Sequence, residues 1–383
     1  MKKSSSSPEV PATLLKLTPY AEDNLEALAQ GARLVAATPD LDLALPQMAL
    51  LVAAALKLKF QAALMRLFRL LKNERFEPEA LLHRRLMQLQ KQGRLRGGEF
   101  IVDWTSCGLF EVLYGAVALE QDDQHCGRAM LLYAEAFAKG TLRTRKNNLE
   151  KAFLGRIKEA FAACADALQE PDLFKTVVFL LDRGFSKDDM LSFLYREQFR
   201  FVVRAKLKVC CLSPKGRRVR LDKYAQRLSS GQIVKGLLYK CDAPGQRPRV
   251  NLVVHKQRVG GMWASWYLFT NLPDANQAAQ AYGHRFAIEE SFKDAKTHWK
   301  IEQRRFAYED RFTRYLGLLS LIQAELCQTM LVLLGELEDL AARLGQSGRN
   351  KLSLPNLLRR AQILLPEEIQ ALGRHPLSLY LSG

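Results

Sequence analysis

The sequence lacks the residue clusters that bind soft metals and the cysteine pairs that build a disulfide framework. Its seven cysteines, at positions 107, 126, 164, 210, 211, 241 and 327, contain no Cys-x-x-Cys pair, and its six histidines contain no His-x-x-x-His pair. A scattered, odd-numbered set of cysteines is typical of buried thiols in a reducing compartment. Any bound metal would therefore have to be a hard cation held by carboxylates.

Long apolar runs are also scarce. The longest, MALLVAAALKLKF from Met48, is interrupted by lysines before it is long enough to span a bilayer. The first ten residues, MKKSSSSPEV, contain lysine and serine but no apolar segment that could serve as a secretory core. We therefore expect a soluble cytoplasmic protein with no membrane partner.

Positive charge, by contrast, is abundant and unevenly distributed. The 383-residue chain has 57 Lys and Arg against 40 Asp and Glu, a formal net charge of +17. Between Arg200 and Gly260 there are sixteen basic residues and only two acids, so this stretch carries +14. Such a concentration of one sign predicts a polyanionic partner, usually nucleic acid, whereas the alternative is a solvated surface. A nucleic-acid partner would associate the protein with the nucleoid.

The spacing of apolar residues divides the chain into segments of different structure. Up to about residue 92 they recur at three- and four-residue steps, which predicts helices. Short β-branched segments then alternate with helical ones, the order typical of an α/β sheet. The basic stretch alternates apolar and basic residues, which predicts an inserted antiparallel β module. The predicted organisation is a helical N-terminal domain at 1–96, an α/β core at 97–198 and 273–335, the basic insertion at 199–272 and a helical tail at 336–383.

One predicted helix, AYGHRFAIEESFKDAK at residues 281–296, combines aromatic, basic and acidic residues on one face. On a wheel of ~100° per residue, a stripe about 60° wide contains Tyr282, Arg285, Glu289 and Lys296. Glu290 points elsewhere, so Glu289 is the better candidate for a shared site. The alternative is an ordinary amphipathic helix with Glu and Lys spaced for ion pairs.

Two aspartates follow predicted strands and strengthen the site interpretation. Asp103 follows EFIV and Asp182 follows TVVFLL, and ligands collect at strand ends in open α/β sheets. Taken singly, Asp103 could cap a turn, and Asp182 could pair with Arg183 or cap the next helix. Together with a helical Glu, two such aspartates supply the hard oxygen ligands that a two-metal site requires.

These segments resemble a known family, the bacterial insertion-sequence DDE transposases, over roughly residues 98–335. The spacing of Tyr282, Arg285, Glu289 and Lys296 matches the family's Tyr-Arg-Glu-Lys signature. VVFLLDRGF is similar to its second-Asp motif, FIVDWTS to its first-Asp strand and YLFTNL to the strand that enters the signature helix. The first Asp of the family is often followed by small or hydroxyl residues, whereas Trp104 intervenes here.

The resemblance implies a ribonuclease-H-like core whose metal-binding catalytic triad is Asp103, Asp182 and Glu289, with Mg²⁺ as cofactor and Mn²⁺ able to substitute. The N-terminal domain adds nothing to the resemblance, but its segment LLHRRLMQLQKQGRLR is basic enough to lie against phosphates, and we expect it to bind DNA ends. Synapsis of two ends implies a homodimer. The expected DNA-binding residues are Tyr282, Arg285, Lys296, Lys293, Arg183, Lys215, Arg217, Arg218 and Arg220.

The function implied is cleavage of the ends of the protein's own mobile element and their joining to target DNA. Two alternatives share the core or the charge: a metal-dependent nuclease that cuts without joining, and a catalytically silent DNA-binding protein derived from a transposase. Trp299 could stack on a displaced base, with core packing as the competing explanation.

Overall fold

The computed structural model describes residues 24–29, 44–121, 124–142, 146–239, 248–259 and 262–343. Much of the predicted N-terminal domain before residue 44, and the predicted tail beyond residue 343, therefore lie outside the described residues.

Among the described residues, the sheet is preceded by a short helical segment at 24–29 and by the helices α1 (Leu45–Leu56), α2 (Phe60–Lys72) and α3 (Pro78–Lys91). In α2 the buried residues recur at helical spacing, at Ala63, Leu67, Leu70 and Leu71. This periodicity confines the apolar surface to one face, which packs into the core.

The core is built on one ten-stranded sheet. Its strands are β1 (Glu99–Cys107), β2 (Phe110–Gln121), β3 (Gln124–Ala138), β4 (Val178–Leu181), β5 (Arg200–Arg204), β6 (Cys210–Leu212), β7 (Arg218–Arg220), β8 (Ile233–Leu238), β9 (Arg249–Val259) and β10 (Met262–Thr270). They lie in the order β3-β2-β1-β4-β5-β10-β9-β8-β6-β7. Strand β4 runs parallel to both β1 and β5, and the remaining pairs are antiparallel. This mixed α/β architecture fits a ribonuclease-H-like transposase core.

Helices follow and cover these strands: α4 (Lys146–Leu168), α5 (Leu173–Thr176), α6 (Asp188–Arg196), α7 (Leu221–Gln226), α8 (Ala275–His284), α9 (Phe286–Thr297) and α10 (Glu309–Arg343). Three single-turn 3₁₀ helices span Lys139–Thr141, Arg183–Phe185 and Ile301–Gln303.

The two faces of β1 and β2 pack against different helices. On one face, the Phe100 ring lies 5.8 Å from Phe161 of α4 and 5.4 Å from Phe179 of β4. On the other, the Tyr114 ring lies 5.0 Å from Phe292 of α9. Because successive strand residues point to opposite faces, Asp103 shares the α9 face with Tyr114, its register partner.

The edge strand β3 is covered by side chains of α9 and α10. Its backbone amides at Ala129, Leu131 and Ala136 donate to Ser291, Gln323 and Thr313 at 2.8–3.0 Å. An edge strand with unpaired amides can pair with a second chain, and these contacts block that pairing along the covered part of β3.

The basic strands continue the sheet of the core. Strand β5 pairs with β4, β10 pairs with β5, and β9 pairs with β10. Between β6 and β7, a tight turn closes through a 2.8 Å hydrogen bond from the Ser213 amide to the Arg217 carbonyl, and Gly216 takes a φ of 75° there. Because successive strand residues point to opposite faces, basic side chains lie on the solvent side of this part of the sheet.

Within the described ranges, no single helix has the length and hydropathy needed to cross a bilayer. The helices α1 and α2 meet those criteria only as a pair, bent by 114° at the break between them.

Candidate active site

Strand register places two of the predicted acids side by side. Val102 of β1 pairs in parallel with Leu181 of β4, and each is followed by an aspartate, Asp103 and Asp182. Neighbouring strands lie about 4.8 Å apart, so the two aspartates occupy adjacent positions where the parallel pairing ends. This edge of the sheet is where the sequence predicts ligands to collect.

The position of Asp103 within its strand differs from the prediction. Asp103 is the fifth of nine residues in β1, rather than the residue after it, because β2 pairs with β1 as far as Cys107. Gly108, at a φ of 57°, allows the two-residue turn that joins these strands. What ends at Asp103 is the pairing with β4, so the carboxylate still lies at an opening in the sheet.

The signature residues lie on two helices, whereas the sequence predicts one. Helix α8 ends at His284 and α9 begins at Phe286, with Arg285 between them. The Arg285 amide donates to the Tyr282 carbonyl at 3.2 Å, and the Arg285 carbonyl accepts from the Ile288 amide at 3.2 Å. These three-residue steps tighten the helical turn at Arg285.

Tyr282 and Arg285 connect the helical junction to all three acids. The Arg285 guanidinium donates through Nη1 to Asp103 Oδ2 at 2.8 Å and through Nη2 to Glu289 Oε1. The Tyr282 hydroxyl lies 3.5 Å from Asp182 Oδ1 and donates toward it. Asp103, Asp182 and Glu289 therefore converge on one pair of side chains.

Burial sets the electrostatics of this cluster. It raises the pKa of Asp103 to about 6, against the lowering effects of the Arg285 guanidinium and the Trp104 amide. The charges of Asp182 and Glu289 raise the same pKa further, as expected when three carboxylates lie close together. Burial also raises the pKa of Tyr282 to about 12, so its hydroxyl keeps the proton that it donates to Asp182.

The predicted lysines of α9, and Trp299 just after this helix, differ in how far they are buried. Lys296 pairs with Glu302 at 3.1 Å and is partly buried. Lys293 is 70 % exposed, and its ammonium lies 3.9 Å from Glu290. Trp299 is buried. Within the described structure, neither lysine contacts Asp103, Asp182 or Glu289.

The other predicted DNA-binding residues lie on exposed backbone. Arg183 begins the 3₁₀ turn after Asp182 and is exposed. The turn between β6 and β7 exposes Lys215, Arg217 and Arg218, and Arg220 is exposed beside Asp222 at 2.6 Å. These residues lie on solvent-facing surface that a polyanion can reach.

Sequence analysis missed a buried carboxylate on the opposite face of the sheet. Glu150 of α4 is 1 % exposed and accepts from Trp104 Nε1 at 3.0 Å and from Lys187 Nζ at 2.9 Å. Trp104 follows Asp103, and Lys187 lies five residues after Asp182, so Glu150 links the two segments that carry the aspartates. The signal in the sequence was the position of Glu150: it is an acid that follows Leu149 and falls on the apolar stripe of α4.

A second missed pair holds the helical junction. Nδ1 of His284, the last residue of α8, contacts Oε2 of Glu99, the first residue of β1. Both side chains are nearly buried. Because Glu99 and Asp103 lie on the same face of β1, this contact and the Arg285 contact fix two successive junction residues against one strand.

The donor set fits a hard divalent cation, since all three groups offer carboxylate oxygens. Among the residues that the structure describes, however, no group of three Asp, Glu, His or Cys side chains is gathered closely enough to hold a metal ion. The guanidinium of Arg285 lies between Asp103 and Glu289 instead.

Comparison with known proteins identifies one matching family. The family model described as "Transposase DDE domain" matches residues 155–323. The matched segment includes Asp182, Glu289 and the signature residues, and it begins after Asp103. No curated protein matches the chain. Proteins with this domain generally use divalent metals and act on DNA, and the match supports a transposase of the DDE type.

Proposed function

We propose that this protein is a DNA transposase that cleaves the ends of its own mobile element and joins them to target DNA by Mg²⁺-dependent phosphoryl transfer. One observation carries the proposal: Arg285 and Tyr282 gather Asp103, Asp182 and Glu289 where the pairing of β1 and β4 ends. A structural role alone gives no reason to place three acids around one guanidinium and one phenol.

In this proposal, Asp103, Asp182 and Glu289 hold the metal, with Mn²⁺ able to substitute for Mg²⁺. A metal held by these residues would supply the Lewis-acid stabilisation of charge on the attacking and leaving oxygens that an in-line displacement requires. The chain itself fixes the ligands. Strand register sets the spacing of the two aspartates, and the Tyr282 hydroxyl orients Asp182.

Phosphate contacts would come from the basic side chains around this site. Lys293, Lys296 and Arg183 lie on the elements that carry Glu289 and Asp182, and Arg285 becomes available when it leaves its acids. The basic segment at 199–272 would follow the DNA backbone with Lys215, Arg217, Arg218 and Arg220. The N-terminal segment at 1–96 would bind the element ends, and synapsis of two ends would require a homodimer.

The test uses DNA that carries the inverted repeats flanking the gene, incubated with purified protein in Mg²⁺ or EDTA. We expect Mg²⁺-dependent nicking at the repeat ends by the wild type and none by Asp182→Ala. Asp172→Ala removes an acid that is 72 % exposed and serves as the matched control, with wild-type cleavage expected. Equal cleavage by wild type and Asp182→Ala would contradict the assigned site, and cleavage by neither would refute the enzymatic function.

A strand-transfer assay with pre-cut ends and a supercoiled target separates a transposase from a nuclease. Joined product supports the proposal, because the free 3′ hydroxyl then acts as the second nucleophile. Hydrolysis without joined product would show a nuclease on the same core.

A further inference from the structure

We propose that Arg285 is an internal cation that competes with the divalent metal for Asp103 and Glu289, and that DNA phosphate removes it. This inference rests on the proposed function and concerns the regulation of the same site. In the DNA-free protein the guanidinium offsets one of the two negative charges of these acids and keeps metal affinity low.

The contacts of Arg285 are those of a bound cation. Its Nη1 and Nη2 donate to carboxylates on two different elements, Asp103 of β1 and Glu289 of α9. The side chains of Arg285 and Asp103 are only 5 % and 16 % exposed, so water screens their contact weakly, whereas Glu289 is 48 % exposed and its contact with Arg285 is more strongly screened. A divalent ion would bind the same two carboxylates, and it is repelled by a guanidinium placed between them, so each cation disfavours binding of the other.

Arg285 is also incompletely satisfied in this position. Its Nε is buried and has no hydrogen-bond partner among the described residues. The guanidinium stacks near the rings of Phe286 and Tyr282, at 4.9 and 5.6 Å from their centroids. Phe286 is 38 % exposed and the Glu289 side chain is 48 % exposed, so this side of the guanidinium lies close to solvent. A guanidinium that moves outward can satisfy all its donors with phosphate oxygens.

Coupling between DNA and metal follows from this exchange. DNA phosphate binds the freed guanidinium, which leaves Asp103 and Glu289 free for the metal. Each ligand therefore raises the affinity of the other, and by linkage the two factors are equal. The device delays metal loading until DNA is in place.

The test measures Mn²⁺ affinity by electron paramagnetic resonance without DNA, in wild type, Arg285→Met and Lys293→Ala. Methionine keeps much of the packing against Phe286 and Tyr282 but carries no charge. Lys293→Ala removes the same unit of charge from α9, and Lys293 contacts none of the three acids. Circular dichroism and thermal unfolding confirm that each variant folds, and Arg285→Gln replaces Arg285→Met if the latter does not.

We expect Arg285→Met to bind Mn²⁺ at least tenfold more tightly than the wild type, and Lys293→Ala to bind within about twofold of it. Adding Asp103→Asn to Arg285→Met should abolish the gain. Unchanged or weaker binding by folded Arg285→Met, or an equal gain in Lys293→Ala, would overturn the inference and leave the proposed function intact. Absence of Mn²⁺ binding in every protein, with and without element-end DNA, would refute the proposed function itself.

Discussion

At the scale of single residues, burial of the Asp103 carboxyl at the candidate site opposes the stability of the folded protein. Its carboxyl is largely buried beside two other acids, and burial raises its pKa to about 6 even though Arg285 donates to it. An ionised carboxylate in such a position costs free energy unless a cation compensates it. Residues held in costly ionisation states often mark functional sites rather than stabilising contacts.

The raised pKa predicts how stability depends on pH in the metal-free protein. Between about pH 4 and pH 6 the folded state binds more protons at Asp103 than the unfolded chain, so stability from this group increases as the pH falls through 6. We expect wild type to gain about 2 kcal/mol relative to Asp103→Asn between pH 7.5 and pH 4.5. Urea unfolding in EDTA measures this difference. A difference that is constant, or that grows with pH, would contradict the account.

At the scale of single residues, the sequence pattern names candidate residues but does not predict contacts between distant segments. The wheel selects Glu289 over Glu290, and Arg285 contacts Glu289. The contacts of Glu150 and Glu99 could not be predicted, because Glu150 meets Trp104 and Lys187 across 46 and 37 residues and Glu99 meets His284 across 185. Nothing local in the chain encodes such distant partners.

Among the elements, the parallel pair β1 and β4 determines where the aspartates meet. The unalternating apolar run before Asp182 predicts a strand buried on both faces, and every residue of β4 is buried. The length of β1 beyond Asp103 depends on pairing with β2, and the break at Arg285 depends on contacts with β1. Both are tertiary effects, so neither a strand pattern nor a helical wheel could predict them.

The packing of β2 against β1 is tight enough to test by substitution. At Gly115, whose register partner is Val102, an added Cβ would lie 2.8 Å from Phe100 Cε1. We expect Gly115→Ala to lower the free energy of unfolding by about 1–3 kcal/mol, because the Phe100 ring is itself packed on both sides. Urea unfolding measures the change.

Gly155 is the matched control, since an added Cβ there meets nothing within 4 Å and the residue lies inside α4. Gly155→Ala should be neutral or stabilise by up to about 1 kcal/mol through helix propensity. Equal effects of the two substitutions would show that the predicted clash at Gly115 is absent.

At the scale of the whole molecule, the basic segment and the candidate site lie on the same sheet. The sixteen basic residues between Arg200 and Gly260 belong to a segment whose strands extend the sheet that carries the aspartates. Net charge could be predicted from the sequence, as could a β-rich segment. The shared sheet could not, because strand order depends on pairings between distant segments.

This arrangement predicts how salt affects DNA binding. Lys215, Arg217 and Arg218 are exposed on one turn, and we expect their joint replacement by Ala to reduce the slope of log affinity against log salt by up to about 3. Fluorescence anisotropy at salt concentrations from about 50 mM to about 200 mM gives the slope.

The control variant removes three charges that lie outside the basic segment at 199–272. Lys158 and Arg196 pair with Glu197, and Lys175 pairs with Asp172. Their joint replacement by Ala should change the slope much less. Equal changes in the two triple variants would indicate a diffuse effect of net charge instead of contacts at the turn.

The central claim is that Asp103, Asp182 and Glu289 act as one catalytic site. The most direct measurement is the single-turnover rate of DNA-end cleavage in Asp103→Asn, Asp182→Asn, Glu289→Gln and the triple variant. We expect each single variant to lose at least about a thousandfold in rate, and the triple variant to lose no more than the single ones, because groups that act as a unit are not additive. A folded single variant that cleaves at close to the wild-type rate would contradict the claim.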